Sequence, residues 1–359
     1  GGPSDGRRKL ILNAKKKLPQ TGLQKILIRG TNWIGDAIMT LPAVSSVRAA
    51  YPGAHLAILA KRPVTEIYRL FSAANEIIPY DAKFDNPLGV FRLANALRKR
   101  KFNAAVLLQN AIEAAIVSTA AGIRIRAGYN ADGRGFLLTH PVRRTEEIFK
   151  VHQIDYYLEM VKSLGCAPVD RAMHLETLIS PAAAQEVAGK YLPGEDRGFI
   201  GLAPGAAYGP AKRWLPERFA AVADRLGADL NAQAILFGSR ADRETTDEVQ
   251  KHANRAMVNL AGSSSLRETI YLISRCRVFV SNDSGLMHVA GALNIPTVAI
   301  FGSTNPVTTS PPGERTVLVR KPVECSPCLK RTCPTDFRCM TSITADDVYE
   351  AAHRLLEKV

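Results

Sequence analysis

Three stretches put reactive side chains at the ends of apolar runs. In "RGTNWIGDAIMTLPA" (29–43), two glycines, a tryptophan and a single carboxylate follow the apolar "KILI". Gly30 and Gly35 permit a tight backbone and close approach of a ligand. The loop is not the dinucleotide fingerprint G-x-G-x-x-G, nor a P-loop, because no Gly-Lys-Ser/Thr follows. Asp36 opens a helical pattern and has two readings. It is a helix N-cap, or it is a general base aimed at a hydroxyl. A helix N-terminus stabilises the carboxylate form, which opposes basicity.

In "APGAAYGPAKRWLPERF" (203–219), Gly205 and Gly209 shape a loop beside Lys212 and Arg213. These cations either hold a diphosphate or sugar hydroxyl, or are solvated charges ahead of the helix at Pro216. "VSNDSGLMHVAGA" (280–292) runs from a strand into Asp283-Ser284-Gly285, where a helix begins. Unpaired N–H groups at such an end suit a phosphate. His288, one turn in, can face the same ligand. The plain alternative is a cap at Asp283 or Ser284 and a surface histidine; the strand–turn–helix context favours a ligand. "FGSTNP" (301–306) adds a loop of small polar groups that includes Gly302. "LFGSRADRE" (236–244) ends a further run with Asp242 and Glu244, which suit ribose hydroxyls or a helix cap.

A fourth stretch, "CSPCLKRTCPTDFRC" (325–339), holds four of the six cysteines, spaced C-x2-C-x4-C-x5-C. Thiolates of Cys325, Cys328, Cys333 and Cys339 suit a structural zinc ion or small cluster. Free thiols or disulfides are the alternative. No histidine stands nearby for an open catalytic site.

The elements that must position these residues follow from periodicity. Short apolar runs at 25–30, 55–60, 76–80, 104–109 and 123–129 alternate with helical patterns at 37–50, 63–72, 87–100 and 111–121. A helix at 150–164 follows. The alternation restarts with runs at 199–205, 232–239, 257–262, 277–283 and 297–303, separated by helical patterns. The expected fold is α/β, with two doubly wound parallel sheets. Ligands sit at the carboxyl ends of such strands, so the expected site is a cleft between the two halves. The expected divisions are a basic, flexible leader over 1–22, a first domain over 23–185, a second over 186–343, and a closing helix over 344–359 that Thr344 caps.

Of 359 residues, 46% are hydrophobic and 22% charged, as in soluble globular chains. No apolar run is long enough to span a bilayer, and the chain is too long and too cysteine-poor for a secreted disulfide scaffold. The net charge of +14 is one-sided. Residues 1–190 carry 27 Lys and Arg against 15 Asp and Glu; residues 191–359 carry 20 against 18. A basic half implies a large anionic partner: a phosphorylated substrate, an anionic membrane or nucleic acid. Arginines outnumber lysines at its loop positions: Arg62, Arg69, Arg124, Arg126, Arg134, Arg143 and Arg144. They suit bidentate phosphate or carboxylate binding. The cysteine stretch lacks interleaved aromatics and the basic residues form no single recognition helix, which argues against a nucleic-acid partner.

In this order, "NWIGDAIMTLPA", "PGAAYGPAKRW" and "NDSGLMHVAGALNIPTVAIFG" resemble the ADP-heptose-dependent lipopolysaccharide heptosyltransferases, over residues 25–310. The resemblance implies a GT-B fold of two Rossmann-like domains. It implies an inverting transfer of heptose from ADP-heptose to the first heptose of heptosyl-Kdo-lipid A, with no catalytic metal or cofactor. Asp36 would then be the base and Lys212 a catalytic donor contact. Gly205, Asp283, Ser284, Gly285, His288 and Gly302 would line the donor, with Asp242 or Glu244 on the ribose. Acceptor contacts would come from Trp33, Gly35, Arg62, Arg124, Arg126, Arg134 and Arg143. A cytoplasmic monomer, peripheral to the anionic inner membrane, is expected. The alternatives are a related heptosyltransferase with another acceptor, or a nucleotide-sugar epimerase on the same fold.

Overall fold

Each half of the chain repeats one strand–helix alternation, and the computed structural model describes it over residues 14, 16–70, 74–81, 86–171, 179–192 and 198–357. The first half contains β1 (Lys25–Arg29), α1 (Ile34–Ala50), β2 (His55–Lys61), α2 (Thr65–Arg69), β3 (Glu76–Tyr80), α3 (Pro87–Arg100), β4 (Ala104–Leu107), α4 (Ile112–Ala120), β5 (Ile125–Tyr129), β6 (His140–Val142) and α5 (Gln153–Ser163). The second contains α6 (Pro181–Tyr191), β7 (Gly198–Ala203), α7 (Pro216–Asp229), β8 (Ala232–Leu236), α8 (Arg243–His252), β9 (Met257–Asn259), α9 (Leu266–Ser274), β10 (Cys276–Asn282), α10 (Gly285–Ala292), β11 (Thr297–Ile300), α11 (Pro306–Thr309), β12 (Thr316–Val319), α12 (Arg338–Thr341) and α13 (Ala345–Leu356).

The strands form two six-stranded sheets, ordered β3-β2-β1-β4-β5-β6 and β12-β11-β10-β7-β8-β9. Every pairing within them is parallel. Helices cover both faces of such sheets, so the strands read as unbroken apolar runs. Ile26, Leu27 and Ile28 of β1 and Val278, Phe279 and Val280 of β10 are all buried. Counted from its own first strand, each sheet has the order 3-2-1-4-5-6. That order opens a crevice at the carboxyl ends where the winding reverses, between β1 and β4 and between β7 and β10. The edge strands β6 and β12 lie outside the runs expected from sequence; they have only three and four residues.

The chain divides into two units, Gly1–Arg171 and Ala172–Val359. The boundary expected at 185/186 instead falls inside α6. That helix buries Val187 and Ala188, and its Lys190 pairs with Glu268 of α9 at 3.1 Å. Most of the expected leader, residues 1–13 and 15, lies outside the described residues. The rest of the leader is anchored. Ala14 bridges Val142, Leu18 is buried, and the Tyr51 hydroxyl donates to the Pro19 carbonyl at 3.0 Å. Thr344 caps α13 through a reciprocal box with Asp347, which fixes one orphan N–H at each end of the exchange. Among the described residues no helix is long and apolar enough to cross a membrane.

Candidate active site

In the first unit, β1 ends on Arg29, a buried cation with a dense set of partners. It donates to the Gly30 carbonyl at 2.6 Å, to Asn32 Oδ1 at 3.3 Å and to the Tyr80 hydroxyl. It also pairs with Glu113 at 3.6 Å. A buried charge persists only when so paired. The loop of residues 30–33 is thereby held from below. Gly30 is required there: a Cβ would lie 2.8 Å from the ring of buried Tyr68. The Tyr68 hydroxyl accepts from the Thr31 N–H at 3.2 Å and meets Thr40 Oγ1 at 3.1 Å.

Trp33, exposed and extended, is the N-cap position of α1, with no side-chain cap bond. Asp36 is therefore not the cap but the third helical residue, half-buried in the first turn. Its charge is felt by Tyr157 of α5, whose phenol is held far above its usual range, first by burial and then by Asp36. The carboxylate thus sits at the carboxyl end of β1, beside the β1/β4 crevice. Tyr157, a buried phenol from an element distant in sequence, lies near enough to sense it.

The other acceptor candidates separate into two groups. Arg62, Arg124 and Arg143 are exposed, and Arg62 pairs with Asp81. Arg134 is fully buried and donates to the carbonyls of Tyr129 (3.0 Å), Leu107 (3.3 Å) and Gln109. Burial lowers its pKa to about 10. Arg126 donates to the carbonyls of Leu137 and Ile123, each at 2.6 Å. The expectation that Arg134 and Arg126 present free guanidinium groups to a ligand is corrected: both bind backbone carbonyls around β5. Gly35 is buried within α1.

In the second unit, three strand ends bring their loops together. Lys212 Nζ lies 2.6 Å from Asp283 Oδ2, and the Thr304 hydroxyl donates to the same oxygen at 2.6 Å. Side chains from the loops after β7, β10 and β11 so converge at the β7/β10 crevice. Asn282 locks two of these loops: its Oδ1 accepts from the Trp214 N–H at 3.0 Å and its Nδ2 donates to the Pro204 carbonyl at 2.7 Å. Ser284 is the N-cap of α10, accepting weakly from the Met287 N–H at 3.4 Å. Gly285 opens that helix, and His288 is buried one turn in. An ammonium has three donors; one points at Asp283, which fixes Lys212 while leaving the others for an anion.

Asp242 is buried and forms a reciprocal cap with Ser239, whose N–H and hydroxyl donate at 2.9 and 2.6 Å. A Cβ on Gly205 would overlap the Asp242 carboxyl. Glu244 is exposed in the first turn of α8. Of the two ribose candidates, Asp242 already has local donors and Glu244 faces outward.

All six cysteines are free thiols. Among the described residues no group of three or more His, Cys, Asp or Glu side chains is gathered to hold a metal ion. The expected zinc set is thus not assembled. Cys339 is buried in α12, Cys325 is exposed, and Cys333 Sγ contacts the Thr335 hydroxyl at 3.5 Å. The four thiols instead line one cavity of about 120 Å³ together with Ser303 and Ala211. Their segment braces the site loops. The Leu329 N–H donates to the Ser303 carbonyl at 2.8 Å, Ser326 Oγ to the Gly302 carbonyl at 2.6 Å, and the Ala211 N–H to the Arg331 carbonyl at 3.0 Å.

A model of glycosyltransferase family 9 (heptosyltransferase) matches residues 90–337. The chain belongs to this family. It is 31% identical to the lipopolysaccharide heptosyltransferase 2 of Escherichia coli K12 over 313 residues, covering 82% of this chain and 88% of that one. The lipooligosaccharide heptosyltransferase 2 of Campylobacter jejuni (serotype O:2) is 27% identical, with 93% and 98% covered. The solved structure of E. coli ADP-heptose LPS heptosyltransferase II superposes with a TM-score of 0.81 at 28% identity, covering 93% of this chain and 99% of that one. The fold is GT-B, and this family 9 member is a glycosyltransferase. Thr304, Asn282, Tyr68 and Tyr157 join the site without having been singled out from sequence. Thr304 lies in the polar loop 301–306, which was the available signal; the two tyrosines gave none, because their elements reach the loop only in the folded chain.

Proposed function

We propose that this chain transfers L-glycero-D-manno-heptose from ADP-heptose to the first heptose of heptosyl-Kdo-lipid A, with inversion. The observation that carries the proposal is the convergence of Lys212, Asp283 and Thr304 beside the α10 N-terminus at the β7/β10 crevice. A pinned ammonium and a helix N-terminus form a place for a diphosphate. Relatives named for ADP-heptose and for lipopolysaccharide support the donor and acceptor classes.

Asp36 takes the proton from the acceptor hydroxyl as that oxygen attacks the anomeric carbon. The bond from that carbon to the diphosphate oxygen breaks, and the departing ADP keeps the electron pair. Lys212 and the N–H groups at Ser284–Leu286 offset the charge that grows on it, being fixed before reaction begins. Gly205 and Gly302 let the backbone approach the donor, with Asp242 or Glu244 on the ribose side. Trp33, Arg62 and Arg143 serve the anionic acceptor; Arg124, just ahead of β5, lies at the amino end of the sheet, away from Asp36. No step is assigned to a cofactor. The enzyme works as a monomer at the cytoplasmic face of an anionic membrane.

Asp36→Asn should lower turnover by about 10²–10⁴, the usual worth of a general base, while ADP-heptose binding by calorimetry survives. Near-normal turnover would remove Asp36 from this role. Mass analysis of products on acceptors truncated at each sugar tests the acceptor; addition to a Kdo-only acceptor, with none to a one-heptose acceptor, would refute it.

A further inference from the structure

Five large apolar side chains stand exposed on three packed elements of the first unit. Leu88 and Phe91, one turn apart at the start of α3, are 71% and 66% exposed. Ile112 and Ile116, one turn apart at the start of α4, are also exposed, and Phe136 after β5 is 80% exposed. The α3 helix packs on α4, and α4 packs on the short turn Arg134–Leu137 that carries Phe136. Both helices connect parallel strands, so they run antiparallel to the sheet and start at its carboxyl end, where Asp36 lies. Scattered exposed apolar residues are ordinary; five large ones on three packed elements mark an interaction surface.

Charge identifies the partner. Residues 86–130 hold seven Lys and Arg and a single acid, Glu113, and that acid faces Arg29. Along α3 the outward face passes from Leu88 and Phe91 to Arg92 and Lys99, all exposed. Apolar side chains beside unopposed cations fit a bilayer interface with anionic headgroups: the apolar groups enter the acyl boundary and the cations meet phosphates.

We infer that the face formed by α3, α4 and Phe136 docks on an anionic phospholipid bilayer, holding the carboxyl end of the first sheet at the membrane surface. The use made of this docking, presentation of a lipid-anchored acceptor to Asp36, rests on the function proposed above; the docking itself does not.

The test is flotation of the full chain with vesicles of phosphatidylcholine alone or mixed with phosphatidylglycerol. Wild type should float with the mixed vesicles and far less with the neutral ones. Leu88→Gln/Phe91→Gln should weaken partition at least about tenfold, since each buried side chain of this size contributes well over a factor of ten. Arg92→Glu/Lys99→Glu should weaken it by about fivefold or more per charge, with the loss shrinking at high salt. Full retention by both variants, which would assign the contact to basic residues elsewhere, overturns the inference. So does self-association that Leu88→Gln/Phe91→Gln abolishes without any change in flotation. Turnover separates the two proposals. The apolar variant should act normally on a deacylated soluble acceptor and poorly on acceptor embedded in vesicles. If wild type floats but transfers heptose to neither acceptor, the proposed function fails and the docking face stands.

Discussion

Replacing Lys212 by methionine isolates the ion pair at the centre of the second unit. The ammonium and the Asp283 carboxylate are 2.6 Å apart, with side chains 13% and 5% exposed. Breaking a buried pair from one side costs about 3–5 kcal/mol, because the remaining charge stays desolvated. Thr304 still donates to Asp283, so the lower end of that range, about 3 kcal/mol, is expected for Lys212→Met. Asp283→Asn leaves the better-exposed partner and should cost less. The double variant Lys212→Met/Asp283→Asn removes both charges and should recover most of the loss, with a coupling above about 1.5 kcal/mol. Urea unfolding at neutral pH is a suitable assay, because Trp214 is buried in this unit and its N–H is held by Asn282 beside the pair. A Lys212→Met variant within about 0.5 kcal/mol of wild type, or a double variant no more stable than it, would refute the reasoning. Lys212 would then be a mobile surface cation rather than a pinned one.

Gly205→Ala drives a methyl group into the Asp242 carboxyl, which its bonds to Ser239 hold in place; overpacking of this kind costs about 1–3 kcal/mol, and calorimetry should show weaker ADP-heptose binding as well. Arg134→Met leaves the carbonyls of Tyr129, Leu107 and Gln109 without their donor. It should lower the melting temperature through about 3 kcal/mol of lost stability, whereas a melting point unchanged from wild type would restore Arg134 to the ligand-binding set. Hydrogen bonds from Thr335 lower the Cys333 pKa, and burial with the nearby thiols raises that of Cys339. The thiolate is the nucleophile, so alkylation of Cys333 should persist to lower pH than an ordinary thiol, and Cys339 should react only at higher pH. Peptide mass spectrometry across pH reads both, and equal profiles would contradict the assignment.

Sequence by itself determined the fold class and marked the loops of the candidate site. Apolar runs such as "KILI" and "RVFV" can be satisfied only by burial on both faces, which means parallel strands under helices. Glycine loops and helix starts after those runs marked the strand ends where ligands sit. Turn and cap residues also act locally, so Ser284 and Thr344 were legible as helix starts. Two of the four edge strands were not: β6 and β12 are short and become strands only by pairing with β5 and β11.

Tertiary structure alone decided which charged residues are available. Arg134 and Arg143 look alike in sequence, yet one is sealed among backbone carbonyls and the other is exposed. The four closely spaced cysteines suggested a metal, but the fold spreads them around a cavity and uses their segment to brace the Ala211 and Ser303 loops. Lys212, Asp283 and Thr304 are separated by 71 and 21 positions and share one carboxylate oxygen. Such a meeting is set by strand order, because the winding reverses between β7 and β10 and delivers their loops to the same edge. Spacing along the chain encodes neighbours within an element; it carries no record of which strand lies beside which, and that order is what placed the site.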